Sequence, residues 1–192
     1  MKIKSLVLLS AATLTLSACG HKTESTDVTS NATTVSDTTT NTVAVAPAPA
    51  ASGGQTFANT AASSDAFEIA TSKAALETST SASVKKFAQM MIDAHTKSTD
   101  KLKSTAAGLS PAITPDPTLT ADQQSKLDAL KTLKGADFDK AYIDAQTGGH
   151  QQTLDALKAY AATGDVPALK AFASDLVPTV TAHLNMAKGL KA

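Results

Sequence analysis

Leu169, Phe172, Ala173, Leu176, Val180, His183, Ala187 and Leu190 recur at intervals of three and four residues. That interval is the repeat of a helix, and no strand can gather those side chains on one face. Val84, Phe87, Ala88, Met91 and Leu102 form a second stripe of the same kind, and His95 falls on it. Stripes of this kind must be buried against one another, which confines the chain to a helical bundle. Aromatic residues are only 4% of the sequence, and the abundance of Ala, Leu and Lys favours helix as well. No stretch alternates with a period of two for long enough to suggest a sheet.

Turn and cap residues divide the stripes. A first helix is expected over residues 56–79, with Phe67, Ala70, Ala74 and Glu77 in one row and Phe57, Ala61, Ser64, Glu68 and Thr71 in another. Ser81 can cap a second helix that ends near Gly108. The prolines of "GLSPAITPDPTL" forbid regular structure in the next segment. Thr120 and Gln123 read as a capping box opening a short helix, "ADQQSKLDALKTL". Asp137 should cap the following long helix, and Asp165 the last, with Pro167 accommodated in its first turn. Two very short connections imply antiparallel neighbours. The expected fold is all-α: an up-down-up-down four-helix bundle over residues 55–192, with a short extra helix in the middle connection.

Residues 1–18 read as an export signal. Lys2 and Lys4 precede an apolar core from Leu6 to Leu16 that is too short to span a bilayer, which takes about 20 residues. Leu16-Ser17-Ala18-Cys19 resembles the bacterial lipobox, which implies cleavage before Cys19 and lipidation of its thiol. Cys19 is the single cysteine, so no disulfide can form within the chain. Gly20 follows it rather than aspartate, and by resemblance to Gram-negative lipoproteins this implies an outer-membrane anchor facing the periplasm. Residues 19–54 are dominated by Thr, Ser, Ala and Pro and offer too little apolar surface to fold. As a disordered tether they would span roughly 35 Å.

Acidic and basic residues balance at 17 each, and the sequence has no arginine and no tryptophan. A nucleic-acid binder needs a basic excess and usually arginine, so that class is set aside. No Ser, His and carboxylate grouping stands at a strand-to-helix turn, and no catalytic residue is assigned.

The histidines of the domain carry the one opening towards chemistry. His95, His150 and His183 each lie on or beside an apolar stripe. At about 1.5 Å per residue they fall, with Glu68, in the middle third of the bundle, one from each long helix. Asp93 and Gln146 are expected to supply hydrogen bonds in this polar layer. Gly148-Gly149, just before His150, would let a neighbour come close, and Pro178 interrupts the last helix shortly before His183. The Met90-Met91 pair reads as core filling.

The segments "FEIATSKAAL", "SVKKFAQMMIDAH", "DFDKAYIDAQTGGH" and "LKAFASDLVPTVTAHLNMAKGL" resemble the bacterial ferritin-like domain of unknown function 4142. The resemblance implies an exported helical bundle. Ferritin-like di-iron sites use Glu-x-x-His on two helices. Here Ile92, Thr147 and Val180 stand three residues before the histidines, so that pattern fails. Two functions stay open. One is a non-catalytic binding or interaction module whose protein or small-molecule partner is not named by the sequence. The alternative is a single transition metal ion held by His95, His150, His183 and Glu68. Convergence of the three rings would favour the second.

Overall fold

The structure, a computed structural model, describes residues 53–192. The expected export signal, Cys19 and all but the end of the expected tether lie outside the described residues; Gly53 and Gly54 already belong to the first helix. The chain forms α1 (Gly53–Thr78), α2 (Ala82–Ala107), α3 (Ala121–Thr132), α4 (Gly135–Thr163) and α5 (Pro167–Gly189). Among the described residues there is no strand, and no helix is long and apolar enough to cross a membrane.

Most of the local signals work as expected. The Ser81 hydroxyl accepts from the Val84 amide and starts α2. Thr120 and Gln123 form a reciprocal capping box on α3. Pro167 stands at the start of α5, and the helix continues through Pro178. Two expected caps are corrected. Helix α4 starts before Asp137, at Gly135, whose φ of 57° suits a residue without a side chain. Asp137 is left in the first turn, where its charge favours the helix dipole. Asp165 does not cap α5. Its carboxylate accepts the Tyr160 hydroxyl at 2.8 Å and faces the first amides of α1. It therefore ties the α4–α5 turn to the start of α1.

The direction of the second helix pair is also corrected. The segment after α2 climbs one face of α1. Gln55 donates to the Thr114 carbonyl, Asn59 accepts the Asp116 amide, and Gln123 donates to the Ser63 carbonyl. Residues 55, 59 and 63 are one turn apart, so the crossover runs the length of the bundle and α4 starts where α1 ends. Phe138 at the start of α4 accordingly packs with Ala74, Ala75, Val84 and Phe87 around the α1–α2 turn. The order is up-down-down-up, with one long crossover, rather than up-down-up-down. A long connection can end at either pole of a bundle, and only its contacts decide which.

The core is divided in two. Phe57, Leu102, Leu157, Leu169 and Phe172 fill one end. Val84, Phe87, Met91, Phe138 and Tyr142 fill the other. Each such side chain contributes roughly 1.5–3 kcal/mol on burial. Between the two lies a layer of buried polar side chains: Asp65, Glu68, Thr71, His95, Gln146, His150 and His183.

Candidate metal centre

The histidines reach the layer from different helices. His95 projects from α2, one turn beyond Met91; His150 comes from the middle of α4; His183 comes from the last two turns of α5. His150 is near the midpoint of α4, so it reaches the same level whichever way that helix runs. Their ring centroids form a nearly equilateral triangle with sides of 5.5, 5.5 and 5.8 Å. One nitrogen from each ring lies within 4.8 Å of the others. A trigonal ion with bonds of 2.0–2.1 Å would need nitrogen separations of about 3.5 Å. Small rotations of the rings would close that gap.

Hydrogen bonds set which nitrogen faces the centre. His95 donates from Nδ1 to Asp65 Oδ1 at 2.7 Å, and Thr99 donates to the other oxygen of Asp65. His150 donates from Nδ1 to the main-chain carbonyl of Gln146 at 2.8 Å. A carbonyl only accepts, so the His150 proton is fixed on Nδ1 and the lone pair on Nε2. His95 Nε2, His150 Nε2 and His183 Nδ1 are all buried and have no hydrogen-bond partner. Buried polar atoms are nearly always satisfied, so orphan nitrogens on three converging rings fit a missing electrophile. Three converging imidazoles of this kind can hold a metal ion.

Two of the three charge states suit a metal ion. Burial, with the nearby charge of His95, pushes His150 down to about 3. Burial and His95 likewise hold His183 down to about 4. Both are neutral near pH 7, the form that ligates metal. His95 is shifted the other way: burial opposes its charge, but the bond to Asp65 and the charges of Glu68 and Asp65 prevail. Burial pushes Glu68 up to about 7, against the pull of His95.

Glu68 lies in the layer at 1% exposure, with Oε1 3.6 Å from His150 Nδ1 and neither oxygen hydrogen-bonded. Its carboxyl fits because residue 149 is glycine: a Cβ there would stand 2.6 Å from Oε1. The close approach read from Gly148-Gly149 thus applies to Gly149 alone, since nothing lies within 4 Å of a Cβ on Gly148. Gln146 is in the layer, but its side chain bonds to Thr71 and only its main chain serves a histidine. Asp93 is a correction. It is exposed and accepts from Gln89, because two residues before His95 is the opposite face of the helix. The carboxylate beside His95 is Asp65, one turn before Glu68 on α1. That i, i+3 pair of acids was the available signal.

These features define a small all-helical bundle with a buried layer of three histidines. Residues 39–190 match the family described as Domain of unknown function (DUF4142), and the chain belongs to that family. Among solved structures it is similar to one described as "CopM in the Cu(I)-bound form", with a TM-score of 0.56 and 21% identity. The match covers 71% of this chain and 93% of the other, and at that identity it shows a shared fold. No curated relative matches the sequence.

Proposed function

We propose that this chain is a non-catalytic metal-holding protein of the bacterial envelope, binding one cuprous ion between His95, His150 and His183. The observation that carries the reading is the convergence of three buried histidines, each offering one nitrogen within 4.8 Å of the others and each with an unpartnered ring nitrogen. Copper of either charge accepts imidazole ligands. The cuprous ion is favoured on charge: the Born cost of burying an ion grows with the square of its charge, so a monovalent ion costs about a quarter of a divalent one. The copper named for the similar structure supports the choice. Holding rather than catalysis follows from space. The cavity beside His95 and His183 is about 40 Å³, too small for an organic substrate.

Glu68 favours a second reading. Its carboxylate lies 3.6 Å from His150 Nδ1, outside the three converging histidines, and a shift of that side chain towards Nε2 would complete a tetrahedral site of three histidines and one carboxylate for zinc. Glu68→Gln separates the two: cuprous affinity should survive it and zinc affinity should not.

The place of action comes from the sequence. The lipobox at Cys19 and the Thr-rich segment support a lipid-anchored domain held off the outer membrane and facing the periplasm.

Asp65 supplies the test. A carboxylate behind a ligating histidine typically raises metal affinity 10–100-fold. Competition titration of the full chain with cuprous ion should show a loss of roughly that size in Asp65→Asn, and no change in Asp93→Asn. Absence of cuprous and zinc affinity in the wild type would overturn the metal reading.

A further inference from the structure

We infer that the histidines are reached from solvent through the seam between α2 and α5, with Ala94, Ser98, Leu176 and Thr179 as the gate of a metal-loading path. As a loading path this rests on the metal reading above; as a route to the imidazoles it stands on geometry alone.

His95 and His183 both line the small cavity, together with Asp65, while His150 lies behind them. The four gate residues border that cavity on its outer side. They also form the floor of a groove of about 610 Å³ open to solvent between α2 and α5. They are thus the partition between the site and the surface.

The partition is the weakest wall of the bundle. Of the four neighbouring pairs of long helices, α2 and α5 pack most loosely. On the outer side of this seam Lys101 pairs with Asp175, the partners being 48% and 62% exposed, and its ammonium also lies 5.9 Å from the centre of the Phe172 ring. Exposed pairs of this kind hold little. Pro178, between Leu176 and Thr179, lacks an amide hydrogen, so α5 is short of the hydrogen bond from residue 178 to the Ser174 carbonyl.

The alternative route is closed. The cavity also touches Thr153, which borders a groove between α1 and α4. There Ser64 and Thr153 hydrogen-bond across the two helices at 2.7 Å. A solute passing that way would have to break this bond and pass the packed Leu157.

The groove over the gate also explains an oddity of the sequence. Met90 lines it, whereas Met91 is fully buried in the core. The adjacent methionines therefore have different surroundings, and a thioether at the mouth is a soft ligand suited to cuprous ion.

Two rates measured on the full chain test the route. One is modification of His95 and His183 by diethyl pyrocarbonate, resolved by mass spectrometry; the other is uptake of cuprous ion followed in time. Ala94→Leu should slow both on the order of tenfold, the effect of about 1.4 kcal/mol on a barrier. Final copper occupancy should be unchanged. Leu176→Ala should hasten both while keeping wild-type helicity, which separates a wider gate from a bundle that has failed to fold. Unchanged rates in Ala94→Leu and Leu176→Ala would overturn the seam. If the wild type takes up no copper, the metal reading fails, and the modification rates still decide the route.

Discussion

Cuprous ion at about a thousand times its dissociation constant should stabilise the wild-type bundle by about 4.1 kcal/mol. For a domain of this size that is a rise in melting temperature on the order of 10–20 °C. The increment should disappear in His95→Ala, His150→Ala and His183→Ala alike, because a two-coordinate remnant in a buried layer leaves the ion poorly satisfied. Without metal the variants should differ. His95→Ala strands the buried Asp65 carboxylate, and breaking a buried pair costs roughly 3–5 kcal/mol. His183 makes no hydrogen bond among the described residues, so its removal mainly leaves a cavity and should cost less. His183→Ala is therefore the variant in which loss of the metal effect is least confused with loss of fold. Thermal melts of metal-free protein, with and without cuprous ion under reducing conditions, check both parts.

Acid should unfold the metal-free domain earlier than its surface charges require. His150 and His183 titrate at about 3 and about 4 in the folded chain, below their ordinary 6.5. Between those values the unfolded chain binds protons that the folded one refuses, so stability falls as pH falls. Each contributes about 1.4 kcal/mol per pH unit. Glu68 opposes them. Its folded value of about 7 exceeds the ordinary 4.5, so between those limits the folded chain holds a proton that the unfolded one has lost. His95, raised by its carboxylate neighbours, is protonated in both states below pH 6.5 and adds no slope there. From pH 6.5 to 4.5 two groups lose stability and one regains it, for a net fall of about 3 kcal/mol. Above pH 6.5, His95 and Glu68 both make stability decline as pH rises, so the layer places the optimum near pH 6.5. Denaturant midpoints measured across this range should show that maximum. In His183→Ala the acid limb should become nearly flat, since one histidine then balances Glu68. A flat profile in the wild type would contradict the assigned charge states.

The features legible in the sequence are those set by local chemistry. The stripes, the Ser81 cap and the Thr120–Gln123 box depend on residues a few positions apart, and the structure keeps them. His95 and His183 were visible as polar interruptions of apolar stripes, which is how a buried layer presents itself in one dimension. What was not legible depended on how helices are turned against one another. Asp93 was closer to His95 in sequence than Asp65, yet only Asp65 faces it across the α1–α2 contact. Asp165 had the right position for a cap, but the start of α1 and the Tyr160 hydroxyl offered its carboxylate better partners. The run of α4 depended on whether a proline-containing connection turned back or climbed α1, and Gln55, Asn59 and Ser63 decide that through contacts about 60 residues away in sequence. Gly148 and Gly149 look equivalent in sequence, and only the Glu68 carboxyl makes one of them necessary.

The most direct test of the central claim is X-ray absorption at the copper edge for the full chain loaded anaerobically with one equivalent of cuprous ion. The expected first shell is nitrogen alone, about three scatterers near 2.0 Å with the outer-shell pattern of imidazole. His183→Ala should lose that spectrum. A sulfur scatterer in the first shell, or an unchanged spectrum in His183→Ala, would place the ion elsewhere and contradict a site built from His95, His150 and His183.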